Sequence, residues 1–130
     1  MDSNKQPSLF DFESLDLYKK SLDYIDFVYK ITQDFPREEK YGLAIQFTNA
    51  ANSIALNIGE GYGESIRLAL RYLRITRGSI RECLVNSTIS FRNGFINERD
   101  YNESRKKLSE LSRLSSGYKK YLIRNLNNDK

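Results

Sequence analysis

The 130-residue chain has no histidine, a single cysteine and only two prolines. Each scarcity removes a class of answer. Without histidine there is no imidazole base for a serine or cysteine triad, and no ligand of the kind that ferritin-like di-metal, haem and most zinc sites use. Cys83 has no partner for an internal disulfide, as expected of a reducing compartment. No apolar run approaches the roughly 18 residues of a spanning helix. The start, Met1 to Phe12, carries acids where a secretory leader carries a basic and then an apolar stretch. The expectation is a soluble, cytoplasmic protein with no membrane partner. Pro7 and Pro36 lie outside the longest periodic segments, and no segment alternates strictly as a half-buried strand does, so helices are favoured.

What is present is periodic. With 39% hydrophobic and 29% charged residues, composition and length suit one globular domain over residues 1–130. A first helix is expected over about 15–33, with Ser14 as cap and Leu15, Tyr18, Leu22, Ile25 and Val28/Tyr29 inward. A second, over about 37–61, takes Pro36 in its first turn and turns Leu43, Phe47, Ala50/Ala51, Ile54 and Ile58 inward. Gly59, Gly61 and Gly63 form the next corner, and Ser65 caps a third helix over about 66–92, with Ala69, Tyr72/Leu73, Thr76, Ile80, Leu84 and Phe91 inward. Asn93-Gly94 stops it. Asn97 and Asp100 resemble a capping box for a fourth helix over about 98–125, which turns Tyr101, Leu108, Leu111, Leu114/Ser115, Tyr118 and Leu122 inward. Residues 127–130 are expected to fray. Such lengths joined by short loops predict an all-α, antiparallel up-down-up-down four-helix bundle.

Charge is distributed unevenly. Residues 1–64 are net acidic, whereas residues 65–92 hold six arginines against Glu82 alone, and residues 105–124 hold seven basic groups against Glu110. Arg67, Arg71, Arg74, Arg77 and Arg81 recur at spacings of four and three, which confines them to a helical stripe about 120° wide. Guanidinium forks suit phosphate oxygens, so RNA or DNA is one candidate partner, with Arg105, Lys106, Lys107, Arg113, Lys119 and Lys120 of the last helix adding to the site. The competing readings are ion pairing with the acidic half (Asp16, Asp23, Asp26, Glu38 and Glu39), within the chain or between subunits, and a merely solvated face.

Certain residues carry more than periodicity. Phe35-Pro36, Glu39, Tyr41-Gly42-Leu43, Gln46, Ala50-Ala51, Ser53-Ile54, Asn57-Ile58-x-Glu60-Gly61 and then Gly78-Ser79-x-x-Glu82 resemble the bacterial four-helix-bundle family encoded within intervening sequences of 23S ribosomal RNA genes. The resemblance covers about Phe10 to Leu122. It implies a four-helix bundle and a homopentamer, without a defined activity. A related branch, the accessory proteins of diversity-generating retroelements, implies a basic pentameric barrel that binds nucleic acid and a reverse transcriptase. Carrying that binding over to this chain is analogy and needs support from its own charges.

Gln46, Asn57, Glu60, Ser79 and Glu82 are expected to form a structural polar core on the second and third helices, the carboxylates accepting hydrogen bonds, since a buried charge must be satisfied. Ser53, Ser79 and Cys83 lack a neighbouring base of the usual kind, and Gly59 to Gly63 lack the lysine of a phosphate loop, so no enzyme, cofactor or metal site is expected. Cys83 is expected to be a small core residue. The leading expectation is a homo-oligomeric scaffold binding structured RNA or other nucleic acid through phosphate contacts. The alternative is a protein-protein adaptor or accessory subunit of a nucleic-acid enzyme, its arginine stripe spent on subunit contacts.

Overall fold

The computed structural model describes residues 10–128. The acidic start up to residue 9, with Pro7, and residues 129 and 130 of the expected frayed tail lie outside it. Four helices make the fold: α1 (Asp16–Thr32), α2 (Leu43–Gly61), α3 (Ile66–Arg92) and α4 (Glu98–Asn128). Short 3-10 turns at Asp11–Ser14 and Arg37–Glu39 precede α1 and α2, and the described residues include no strand.

Three boundaries depart from expectation. Ser14 does not cap α1; its hydroxyl donates back to the Asp11 carbonyl at 2.8 Å, inside the 3-10 turn. Pro36 stands in extended backbone (ψ 149°), so only the short turn follows it. The chain breaks again at Gly42, and α2 begins at Leu43, whose N–H donates to the Glu39 carboxylate at 3.3 Å. At the other end α4 runs on through Asn127 to Asn128, rather than fraying from Asn127. The remaining signals hold. Ser65 Oγ accepts from the Leu68 N–H at 3.2 Å, and Asn97 Oδ1 accepts from the Asp100 N–H at 2.7 Å. Gly59 and Gly61 are inside α2, while the corners belong to Gly63 (φ 81°) and Gly94 (φ 75°), whose left-handed geometry penalises any side chain.

Each helix packs on its neighbour in sequence, and α4 returns to α1, so the four enclose one core. Paired positions count in opposite directions along neighbouring helices. Gln46 meets Asn86, Ser53 meets Ser79 and Ile54 meets Thr76 across α2 and α3; Arg77 meets Ser115 and Ser87 meets Ser104 across α3 and α4. Helices α2 and α3 approach closely at Gly61, where a Cβ would stand 2.9 Å from Tyr72 Cβ and 3.2 Å from Ala69 Cα.

Helix α1 is rotated from the expected face. Its buried line is Leu17, Ser21, Tyr24, Val28 and Ile31, spaced by four and three, whereas Leu22 and Tyr29 stand exposed. Both lines have helical spacing, but the one through Tyr24 brings a hydroxyl and a large ring under α3 and α4, and leaves Leu22 and Ile25 beside a surface cleft with Leu56 of α2. The expected polar core is corrected similarly. Ser79 is buried and donates to Ser53 Oγ at 2.8 Å, and Asn57 is half-buried against its own helix, but Gln46, Glu60 and Glu82 are exposed. Small and apolar residues (Phe47, Ala50, Ala51, Ile54 and Ile58) occupy the inner line of α2 and turn Glu60 out, while Thr76, Ser79, Cys83 and Asn86 do the same to Glu82 on α3.

The buried polar residues are instead short: Ser21, Thr76, Ser79, Asn86, Ser87, Ser90, Ser104 and Ser115. Several return a hydroxyl proton to their own helix, as Ser87 does to the Cys83 carbonyl at 2.9 Å and Ser90 to that of Asn86 at 2.7 Å. Such groups can be buried because their hydrogen bonds are made locally.

Candidate functional site

The arginine stripe divides in two. On α3, Arg74, Arg77 and Arg81 lean toward α4 and line, with Lys119 of α4, a cleft of about 250 Å³ floored by Leu73 and Ile123. Arg81 also lines the next cleft, of about 210 Å³, where Arg105 and Ser112 of α4 stand around Ile80, Leu84 and Leu108. The two clefts share Arg81 and follow one another along the groove between α3 and α4, with the Arg77 bonds to Ser115 and Ser116 crossing between them, and among the described residues no acidic side chain lines either part. Arg67 and Arg71 are exposed but line neither cleft. Arg71 belongs to the outer line of α3 with Ile75, Gly78, Glu82, Val85 and Ile89, spaced by four and three, in which Ile75, Val85 and Ile89 are exposed.

Arg77 anchors the groove. It is half-buried, and its Nη1 donates to Ser115 Oγ at 2.8 Å and Ser116 Oγ at 2.9 Å. Neutral hydroxyls hold the guanidinium in place without cancelling its charge, and its other N–H groups stay available. Among the described residues the ion pairs are Lys20 with Glu110 (3.9 Å) and Lys107 with Glu103 (3.5 Å), so no described carboxylate pairs with any of the five stripe arginines. Among the described residues the intramolecular half of the ion-pair reading thus finds no pair.

The basic residues of α4 are dispersed around it. Lys119 and Arg105 join the groove, whereas Lys106, Arg113 and Lys120 are exposed and line neither cleft. Lys107 is on the other side, 5.7 Å above the Phe27 ring of α1 and paired with Glu103, so it does not belong with the arginines.

At the α3–α4 corner the groove meets an aromatic stack that sequence reasoning missed. Arg105 stands over the Tyr101 ring at 5.7 Å and donates to its hydroxyl at 3.2 Å. Tyr101 in turn stacks on Phe91, centroids 4.7 Å apart and planes 12° apart, and Phe91 remains 37% exposed. Its place on the inward line of α3 made Phe91 look like core; the signal against this was Asn93-Gly94, which ends the helix close by. Hydrogen bonding with Thr88 and Arg105 holds the Tyr101 phenol below its ordinary pKa.

The buried titratable groups are of another kind. Burial raises the Cys83 thiol to about 12, helped by the nearby Glu82 carboxylate, and burial also raises Tyr24 above the ordinary phenol value. Both are neutral near pH 7, and a thiol so protonated is a poor nucleophile. Among the described residues no three histidine, cysteine, aspartate or glutamate side chains gather as a metal ligand set.

No helix among the described residues is long and apolar enough to cross a membrane. No curated protein matches the chain. The model of the family described as 23S rRNA-intervening sequence protein matches residues 13–117, most of the four-helix unit including the whole groove except Lys119 and Ile123, and the chain belongs to that family.

Proposed function

We propose that this protein is a non-enzymatic, cytoplasmic, homo-oligomeric scaffold, a pentamer of antiparallel up-down-up-down bundles, that binds RNA or DNA through phosphate contacts. The observation that carries the binding is the α3–α4 groove, where exposed Arg74, Arg81, Arg105 and Lys119 and half-buried Arg77 gather with no described acid lining the clefts beside them. Concentrated unpaired positive charge attracts a polyanion, and releasing its counterions drives the association. Membership of a family named for ribosomal RNA intervening sequences agrees with a nucleic-acid setting. The antiparallel order is supported by the opposed numbering of the paired residues across the helices.

Self-association has separate support. The outer line of α3 exposes Ile75, Val85 and Ile89, and α1 and α2 expose Leu22, Tyr29, Ile45 and Leu56 around clefts of their own. Two different apolar surfaces on one chain permit a head-to-tail contact that closes into a ring. Arg67 and Arg71, exposed and outside both clefts, are assigned in this reading to the acidic first half of the next subunit, which divides the stripe between assembly and binding.

Titrating a labelled RNA hairpin with the protein tests the binding. Affinity should fall by about 10³-fold or more from low to moderate salt if six or more phosphates are contacted. Arg74→Glu with Arg81→Glu should weaken binding to every sequence alike while native mass stays that of the wild type. No binding by the wild type at low salt ends the nucleic-acid reading. Loss of assembly in the double variant, with negligible wild-type binding, favours the adaptor alternative, in which the protein serves as an accessory subunit of a nucleic-acid enzyme.

A further inference from the structure

We infer that the α3–α4 groove is a track for a single strand of nucleic acid, ending on the exposed ring of Phe91 as a base-stacking platform. The inference rests on the nucleic-acid reading above and goes beyond it by choosing the strand state. Three independent features of the groove select a single strand over a duplex.

The first is depth. Packed helices stand about 8–10 Å apart, and the groove between two of them is narrower than that. Arg77 is half-buried in this groove, tied to Ser115 and Ser116. A duplex would ride over the crests and meet outward cations such as Lys106, Arg113 and Lys120, leaving Arg77 below it. A single phosphodiester strand can enter.

The second is the floor. Leu84, half-buried, and Ile123, 40% exposed, line the clefts with the cations, over the buried Leu73, Ile80 and Leu108. Apolar surface offers nothing to a duplex, whose bases are turned inward, but takes the faces of unpaired bases while the arginines hold the phosphates.

The third is the end. Arg81 and Arg105 lead from the clefts to Tyr101, which stacks on Phe91. Phe91 has one ring already against it and keeps 37% of its surface in water. From Arg74 to Phe91 is about 25 Å along α3, the reach of a short single-stranded site.

The test uses the full-length assembled protein with a fluorescent 12-nucleotide RNA, free and annealed to its complement, at one fixed salt concentration. The free strand should bind about tenfold more tightly than the duplex. Phe91→Leu, which keeps apolar volume but removes the ring, should weaken free-strand binding about tenfold, with Phe91→Tyr restoring it and duplex binding unmoved in both. Arg77→Gln should weaken the free strand selectively as well. Equal or tighter duplex binding, or an unchanged affinity in Phe91→Leu, overturns the track while leaving the nucleic-acid function intact. Failure of both RNA forms to bind overturns both.

Discussion

The Tyr24 hydroxyl of α1 and the Ser104 hydroxyl of α4 share a hydrogen bond of 2.8 Å, and Ser87 of α3 reaches the same Ser104 oxygen at 2.6 Å. All three residues are fully buried, so one cluster of hydroxyls ties three helices together where water does not compete.

Removing the Tyr24 hydroxyl should therefore cost more than a surface change. Tyr24→Phe is expected to lower stability by about 1 kcal/mol, and Ser104→Ala, which takes a partner from two buried hydroxyls at once, by about 1–3 kcal/mol. Urea midpoints of the two variants give the comparison, and a smaller loss for Ser104→Ala would contradict the arrangement in which Ser104 links both hydroxyls.

Two glycines should respond oppositely to alanine. At Gly61 the new Cβ meets Tyr72 Cβ at 2.9 Å and Ala69 Cα at 3.2 Å, atoms anchored in α3, so Gly61→Ala should destabilise by about 1–3 kcal/mol. Gly117 is exposed within α4, with nothing within 4 Å of an added Cβ, and Gly117→Ala should stabilise by up to about 1 kcal/mol. Thermal melting of both variants decides it.

Cys83 and Tyr24 make stability sensitive to alkali. Both folded-state pKa values are raised, the thiol from 9.0 to about 12, so the folded chain keeps protons that the unfolded chain releases. Their contribution is complete below the unfolded thiol's pKa and is lost as pH climbs through the range from 9.0 to about 12. Urea midpoints measured upward from neutral pH should fall across that window, and Tyr24→Phe should fall less steeply at its upper end. A thiol reagent should modify Cys83 in denaturant but not in the native protein at neutral pH.

Assembly should depend on the outer line of α3. Native mass spectrometry of the wild type should give an oligomer at micromolar concentration, and Val85→Lys with Ile89→Lys should give a monomer of unchanged helix content. A monomeric wild type would remove the ring and weaken the scaffold with it.

Much of this was legible in the residues. The caps at Ser65 and Asn97, the stop at Asn93-Gly94 and the inner lines of α2 and α4 follow from spacing and local chemistry that act within one turn. The rotation of α1 was not legible. Leu15, Tyr18, Leu22 and Ile25 make as good an apolar line as Leu17, Tyr24, Val28 and Ile31, and only partners from α3 and α4 choose between them. Glu60 and Glu82 were misplaced for a related reason: placing acids indoors took no account of the serines, which satisfy themselves on their own helices at far lower desolvation cost. The groove was half visible, since its arginines form a stripe, but the hydroxyl pair that seats Arg77 comes from α4, and spacing along a single helix carries no trace of it.

The Arg77 seat and the buried hydroxyl cluster together prevent α3 and α4 from sliding. A slip of one helical turn, about 5.4 Å, would part Arg77 from Ser115 and Ser87 from Ser104 in the same movement, breaking both contacts at once. The groove between them is thus a ruler with one fixed mark: the Arg77 guanidinium keeps its place whether or not anything lies along it, and the exposed cations around it swing from backbone positions that do not shift.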